Sequence, residues 1–394
     1  MEKEGNLMKK KILIVNSFYT PDIVGGAEIS TQVLAESLNQ QFEVYVLTSS
    51  NNKDIIYEEI NGVQVIRIPN RNIYSALDNY APNTVEKLYW HFNNTFNKKQ
   101  KKAINQIIQE IRPDIIHTQN LNGIGTYIWK LGKVNNTLIM HTLRDYQLIQ
   151  PTKIGLINKL IASINKKRAK HVDVVVGISR YILDEFVSND FFNCASRKVI
   201  YNTINNKTVE KNLKKEKGPL KVSYFGRLET EKGIEFFLDS MCNVEENKVG
   251  EILVVGTGSI ADQLIEKYSQ DSRIKFLGKL PFEEAQEKMS YVDVVVVPSL
   301  WPEPFGRVVI ESYRQGTPVV ATNVGGIPEI IYNKELIINP NDKKSMREKV
   351  ELIYNLGAEE YNQLSKDCLE YSLKYSRTHE DYISLYRKIL AEDE

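Results

Sequence analysis

The sequence predicts an α/β protein made of two doubly wound, parallel-sheet domains. Three observations lead there. Short runs rich in Val and Ile alternate with amphipathic helical stretches along the chain. The runs show no polar alternation, which suits strands buried on both faces of a parallel sheet. The rhythm breaks once, over residues 202–219, a polar and Lys-rich stretch that reads as a linker.

In order, the first half offers strands at 12–15, 44–48, 63–68, 115–116, 138–140 and 172–176, with helical patterns such as 28–39 and 98–111 between them. The second half offers strands at 222–225, 252–255, 274–277, 294–297 and 318–321, and is helical beyond Ile338. The expected division is 1–205, 206–375 and a terminal helix within 376–394. Rossmann-like domains bind ligands at the carboxyl ends of their strands. The two domains are therefore expected to face each other across a cleft lined by strand-end loops.

Composition fits globular domains with real cores, at 42% hydrophobic and 26% charged residues. A net charge of +1 gives no reason to expect a nucleic-acid partner. The charge is unevenly spread: residues 1–200 carry 25 Lys and Arg against 18 Asp and Glu, and residues 201–394 carry 26 against 32. The basic half either faces an anion, such as a lipid head group or a phosphate, or is a set of scattered solvated lysines. Three cysteines far apart, without Cys-x-x-Cys spacing, suit a reducing compartment. The apolar run at 12–15 is too short for a signal peptide or a membrane span. A cytoplasmic location is expected.

Five segments carry the chemistry. Gly25-Gly26-Ala27-Glu28 follows the first strand and opens a helix, where backbone N–H groups can meet an anion; a tight turn is the alternative. Gly226-Arg227-Leu228, with Lys232 five residues beyond Arg227, projects two cations from a strand end. They suit a diphosphate and the charge that builds on it as a leaving group. The alternative pairs them with Glu229 or Glu231. Gly256 follows another strand in Val255-Gly256-Thr257-Gly258, too short for a dinucleotide fingerprint. Glu303-Pro304-Phe305-Gly306-Arg307-Val308-Val309-Ile310-Glu311 follows the run at 294–297. Its helix start would offer the N–H groups of Arg307, Val308 and Val309 to phosphate oxygens, and its carboxylates suit vicinal hydroxyls. The alternative makes Glu303 a helix cap and Glu311 a solvated residue. Gly325-Gly326-Ile327-Pro328-Glu329 supplies a last glycine-rich loop. No Asp-x-Asp, P-loop lysine, nucleophile elbow or His-x-x-x-His is present.

Together these segments resemble the retaining GT-B glycosyltransferases, specifically glycosyltransferase family four, over essentially the whole chain. GGAE at 25–28, GRLETEKG at 226–233, VVGTG at 254–258, EPFGRVVIE at 303–311 and GGIPE at 325–329 carry the resemblance in order. It implies a GT-B enzyme that takes a nucleotide sugar (UDP- or GDP-linked) as co-substrate, needs no metal, and retains anomeric configuration. Arg227 and Lys232 would grip the donor diphosphate, Glu311 the ribose and Glu303 the transferred sugar. Gly26, with Gly25 and the backbone near Val308, would complete the phosphate cradle. Gly226, Gly256, Phe305, Gly306 and Arg307 would shape it, and Lys279 and Leu280 would border the base. The carboxylates then position the donor and are not a glycosidase pair. Family members place His before Asp at a strand end of the first domain; this chain has Arg144-Asp145, with His141 three residues before Arg144. Either His141 or Arg144 would face the donor sugar. His117, at another strand end, is either an acceptor contact or a structural histidine, and the structural reading is favoured.

The acceptor implied is a glycan or lipid-linked sugar of bacterial surface-polysaccharide synthesis. The basic clusters Lys98, Lys99, Lys101, Lys102 and Lys166, Lys167, Arg168, Lys170 would hold the enzyme peripherally on the anionic inner face of a membrane. Two rival functions use a similar site: a GT-B-shaped nucleotide-sugar epimerase, and a non-catalytic nucleotide-sugar-binding protein.

Overall fold

The structure is a computed structural model that describes residues 9–75, 77–78, 80–204 and 218–392. Residues 205–217, the body of the expected linker, lie outside the described residues. The chain divides into two compact units. Unit 1 comprises residues 1–203 and 378–394, and unit 2 comprises residues 204–377.

Unit 1 is built on an eight-stranded sheet. Its strands are β1 (Lys11–Val15), β2 (Glu43–Ser50), β3 (Ile56–Ile60), β4 (Val63–Pro69), β5 (Ile115–Thr118), β6 (Leu138–Leu143), β7 (Val174–Gly177) and β8 (Ser196–Val199). They lie in the order β3-β4-β2-β1-β5-β6-β7-β8. Every pairing is parallel except β3 with β4. The apolar runs form the middle of the sheet, where β5, β6 and β7 are buried almost throughout.

The sequence pattern misses β3 and β8, and both are edges. β3 alternates half-buried and exposed residues, and β8 is mostly exposed with Arg197 and Lys198. Polar edge strands protect a sheet from further pairing, so they lack the apolar signature. The antiparallel β3 departs from the all-parallel expectation. Its turn, Asn61-Gly62, has positive φ at both residues (52° and 81°), as a two-residue hairpin requires.

The helices of unit 1 are α1 (Gly26–Leu38), α2 (Thr84–Phe96), α3 (Lys98–Ile111), α4 (Ile128–Val134), α5 (Gly155–Ala169) and α6 (Arg180–Ser188). Unit 2 adds α7 (Ile234–Met241), α8 (Ala261–Lys267), α9 (Phe282–Tyr291), α10 (Arg307–Arg314), α11 (Ile327–Ile330), α12 (Lys343–Asn355) and α13 (Ala358–Leu373). The last helix, α14 (Thr378–Ala391), belongs to unit 1.

Tyr382, Ile383, Leu385, Tyr386, Ile389 and Leu390 of α14 enter the same core as Ile12, Ile14, Val44, Val46 and Met140. The fully buried His117 ties this helix to the sheet. Its Nδ1 lies 2.5 Å from the Tyr386 hydroxyl and its Nε2 lies 2.7 Å from Thr142 Oγ1. Burial drives its pKa well below the ordinary histidine value, so the ring is neutral. His117 is thus a structural residue.

Unit 2 has a six-stranded sheet, ordered β11-β10-β9-β12-β13-β14 and parallel throughout. The strands are β9 (Leu220–Phe225), β10 (Val249–Val255), β11 (Ile274–Gly278), β12 (Val294–Val297), β13 (Val319–Thr322) and β14 (Ile337–Ile338). The two-residue β14 is again an edge missed by the pattern. Leu220, Val222 and Tyr224 of β9 join one core with Phe237 and Met241 of α7 and Met346, Val350 and Ile353 of α12. Ser223, between them in sequence, is also buried. β9 is therefore sealed on both faces.

In both sheets the chain runs outward from a central strand, then jumps back to that strand's other side. The jump falls between β9 and β12 in unit 2 and between β1 and β5 in unit 1. Such switch points leave a crevice beyond the carboxyl ends of the two strands.

Removing the Tyr386 hydroxyl strands a buried imidazole nitrogen. Tyr386→Phe is expected to lose about 1–3 kcal/mol in urea unfolding, and Tyr386→Ala more, through the cavity it leaves.

Candidate active site

In unit 2 the loops after β9 and β12 bracket the switch point. The first holds Gly226, Arg227 and Lys232; the second holds Ser299 through Gly306. Main-chain contacts bind them. The Leu300 and Trp301 N–H groups donate to the Glu231 carbonyl at 2.9 and 3.0 Å. Gly233 has φ +70°, and a Cβ there would lie 1.9 Å from the Pro298 carbonyl oxygen. Gly325 has φ +57°, and a Cβ there would lie 2.2 Å from the Glu303 carbonyl oxygen. That oxygen accepts from Gly326 N–H at 2.7 Å. Three loops are thus locked by backbone approaches that only glycine permits.

This lock sets the side chains. Lys232 Nζ lies 2.6 Å from Glu303 Oε1, with both groups mostly shielded from water. Ser299 Oγ lies 3.0 Å from the same carboxylate oxygen. Arg307 Nε donates to Glu311 Oε1 at 2.5 Å, one turn along α10. Neither bland alternative for the carboxylates survives. Gly306, not Glu303, occupies the N-cap of α10, and Glu311 is shielded and ion-paired. Arg227 differs. It is 66% exposed and faces Glu231 at 3.6 Å, the alternative pairing. An exposed pair of this kind holds loosely, so the guanidinium is available to an anionic ligand.

Several expected contacts are narrowed. The Gly226 N–H donates to Val255 O at 3.0 Å and the Gly256 N–H to Gly278 O at 2.8 Å. Both glycines therefore shape the strand ends and have no N–H to offer. The Val309 N–H donates to Gly306 O at 2.9 Å, which removes it from the expected phosphate donors. Phe305 is buried, its ring 6.0 Å from that of Tyr375, so it presents only main chain. Val308 is half-buried in the first turn of α10. Lys279 is exposed and Leu280 half-buried just beyond β11.

In unit 1, Gly25 and Gly26 are exposed at the start of α1. The Gly25 N–H is already taken, donating to Glu28 Oε2 at 2.8 Å. Glu28 is buried, and burial raises its pKa against the opposing pull of that hydrogen bond. That hydrogen bond takes the Gly25 N–H out of the expected phosphate donors and makes Gly25 the helix-start residue of α1.

His141 and Arg144 line one pocket with Trp90, Asn94, Gln119 and Asp145. His141 is buried between the rings of Phe192 and Trp129, with Nδ1 2.9 Å from Thr118 Oγ1. Burial pushes its pKa down to about 3, so it is a neutral hydrogen-bonding group. Arg144 bonds Gln119 through Nε and Asn202 Oδ1 at 2.6 Å through Nη1. Burial pushes the Asp145 carboxyl up to about 6. Sequence reasoning did not find Trp90, Asn94, Gln119 or Asn120. Gln119-Asn120 directly after β5 is the available signal, because it sits at a strand end beside the switch point.

Among the described residues, no group of three His, Cys, Asp or Glu side chains could hold a metal ion. Among the same described residues, no helix is long and apolar enough to cross a membrane.

Gly233→Ala cannot keep its backbone beside Pro298. It is expected to destabilise unit 2 by about 1–3 kcal/mol or more in chemical unfolding. His141 gives a pH signature. Its folded pKa lies below its unfolded one, so the unfolded chain takes up the proton first as pH falls below about 6.5. Its neutral burial therefore destabilises the fold progressively between about pH 6.5 and 3. His141→Gln lacks this penalty. The stability gap between wild type and variant is expected to narrow as urea midpoints are measured from pH 7 to pH 4.5.

Comparison with known proteins agrees with this architecture. The family model Glycosyltransferase Family 4 matches residues 24–207, and Glycosyl transferases group 1 matches residues 205–369. An uncharacterized 42.6 kDa protein in the cps region of Klebsiella pneumoniae is 34% identical over 333 residues, covering 81% of this chain and 87% of that protein. The O-antigen chain mannosyltransferase RfbU of Salmonella typhimurium is 26% identical over 227 residues, covering 56% and 62%. Sucrose-phosphate synthase from Thermosynechococcus elongatus shares the fold with a TM-score of 0.75 at 20% identity, covering 98% of this chain and 100% of that one. Anabaena HepE in complex with UDP and glucose gives 0.66 at 17% identity, covering 95% and 99%. With two parallel-sheet units and both family models in sequence along it, the chain belongs to glycosyltransferase family 4, the glycosyl transferases group 1, and is a GT-B glycosyltransferase.

Proposed function

We propose that this glycosyltransferase moves a hexose from a UDP- or GDP-sugar to a glycan or lipid-linked acceptor in surface-polysaccharide synthesis, with retention and without a metal. The observation that carries the proposal is the pair of shielded carboxylate–cation contacts, Lys232–Glu303 and Arg307–Glu311, beside the β9/β12 switch point. Arg227 and Lys232 would neutralise the donor diphosphate, the work that a divalent ion does elsewhere. Glu303 would accept hydrogen bonds from the transferred sugar and Glu311 from the ribose. Val308 and Gly306 would bring main chain to the phosphates, and Lys279 and Leu280 would border the base. In unit 1, the pocket of His141 and Arg144, walled by carboxamides and Trp90, suits the hydroxyls and apolar face of a sugar.

The acceptor oxygen would bond to the anomeric carbon as the bond from that carbon to the phosphate oxygen breaks. The departing oxygen keeps the electron pair and takes the acceptor's proton. The cps-region relative and the O-antigen mannosyltransferase favour a polysaccharide context. The UDP and glucose bound to HepE favour a nucleotide-sugar donor.

A panel of UDP-, GDP- and ADP-sugars tests the reading by thermal shift and by slow donor hydrolysis. One donor is expected to stabilise the chain and to be hydrolysed. Lys232→Ala and Glu303→Gln are expected to lower turnover by roughly 100-fold or more, and Arg227→Ala and Glu311→Ala to lose both signals. Release of an epimerised donor, or binding without turnover in the presence of polysaccharide acceptors, would overturn the reading. The anomeric configuration of the product, read by NMR, tests retention.

A further inference from the structure

α2 is built unlike its neighbours. Thr95 is its only buried residue, whereas α3 buries a full face that includes Ile104, Ile107, Ile108 and Ile111. Polar ties hold α2 in place. Asn72 Nδ2 donates to Trp90 O at 3.1 Å, Asn93 Nδ2 to Arg71 O at 2.7 Å, and Arg168 Nη2 to Thr95 O at 3.0 Å. Its inward face, Trp90, His91, Asn94 and Thr95, lines the pocket of His141 and Arg144.

The outward face is apolar. Val85, Tyr89, Phe92 and Phe96 recur at intervals of four, three and four residues and so form one stripe. They are 72%, 56%, 61% and 48% exposed. The Phe92 and Phe96 rings touch, with centroids 5.1 Å apart. A thirteen-residue helix is marginal alone in water, and a continuous aromatic stripe marks an interaction surface.

The charges beside the stripe say what it meets. α3 begins two residues after Phe96, and Lys98, Lys99, Lys101 and Lys102 are exposed in its first turns. Chain geometry keeps the Lys98 and Lys99 backbone within about 12 Å of Phe96. Residues 84–111 carry five lysines against two glutamates.

We propose that α2 is an interfacial helix that seats unit 1 on an anionic lipid bilayer. Tyr89, Phe92 and Phe96 enter the head-group region, and the α3 lysines pair with lipid phosphates. Charge complementarity selects this occupant. A second copy of the chain would bring the same lysines together, whereas a phosphate surface neutralises them. The pocket on the opposite face of α2 is then held near the head groups, where a lipid-linked sugar is presented; that last clause rests on the acceptor proposed above. α5, which lines the same pocket through Ile161 and Asn165, also exposes an apolar pair, Leu156 and Leu160, beside Lys153 and Lys159.

The test is co-sedimentation of the full chain with vesicles of phosphatidylcholine, alone or with phosphatidylglycerol. The wild type is expected to bind the anionic vesicles at least about tenfold better, and less well in high salt. Combined Tyr89→Ser, Phe92→Ser and Phe96→Ser is expected to weaken binding roughly tenfold or more. Combined Lys98→Gln, Lys99→Gln, Lys101→Gln and Lys102→Gln is expected to abolish the preference for phosphatidylglycerol. Circular dichroism checks folding. Should the triple variant misfold, Phe92→Trp reads insertion instead, as a blue shift of fluorescence on adding anionic vesicles.

Unchanged binding by a folded stripe variant, absence of wild-type binding, or no blue shift would overturn the proposal. So would a wild-type dimer that the stripe variant dissolves, which would make a second copy the occupant. Donor hydrolysis without lipid is measured in parallel and is expected to be equal in wild type and stripe variant. Its absence from both would count against the donor proposal and leave the vesicle result standing.

Discussion

A parallel strand sealed on both faces leaves only its ends for polar chemistry. That constraint governs both units. β9 and β12 are buried almost throughout, so the cations and carboxylates of unit 2 stand on the loops just beyond them. The chain leaves those neighbouring strands in opposite directions, and their loops diverge around the crevice between. β1 and β5 repeat the arrangement in unit 1, where Gln119 and Asn120 follow β5 into the pocket of His141 and Arg144.

Main chain, more than side-chain packing, fixes the unit 2 site. Gly233 against Pro298 and Gly325 against Glu303 bring three loops closer than any side chain would allow. The Lys232–Glu303 contact is a product of that approach. Lys232 orients Glu303 across the loops, and Arg307 orients Glu311 along α10; for the proposed donor, such fixed carboxylates would lower the ordering that binding requires. Arg227 stays on the solvent side with only a loose partner. The site thus combines two fixed pairs with one adaptable cation.

Central strands and glycine-rich loops were legible because both follow from local rules: unbroken apolar runs, and Gly at strand-to-helix turns. The edges were not. β3, β8 and β14 are short or polar, although Asn61-Gly62 announces the β3 hairpin to anyone seeking turns before strands. Residue types at the site were legible, but their partners were not. Nothing local to Gly25 says that Glu28 folds back onto its N–H. Nothing local to Phe305 says that its ring turns inward against Tyr375. The exposed stripe of α2 was also hidden, because an apolar helical period ordinarily means core. Only burial reveals that this face meets no core at all.

The return of α14 to unit 1 bears on how the chain is made. Residues 204–377 form a self-contained unit whose strands and helices are contiguous in sequence. Unit 1 is not contiguous, for its core includes Tyr382, Tyr386 and Leu390. On a ribosome, the region translated first is completed last. Until α14 emerges, the sheet around His117 lacks its cover, and apolar residues such as Ile12 and Val44 lack part of their packing. Unit 2 can meanwhile close its own core. The nascent chain thus has a finished second unit while its first awaits a single helix, and that interval is when association with other exposed apolar surfaces is most favoured.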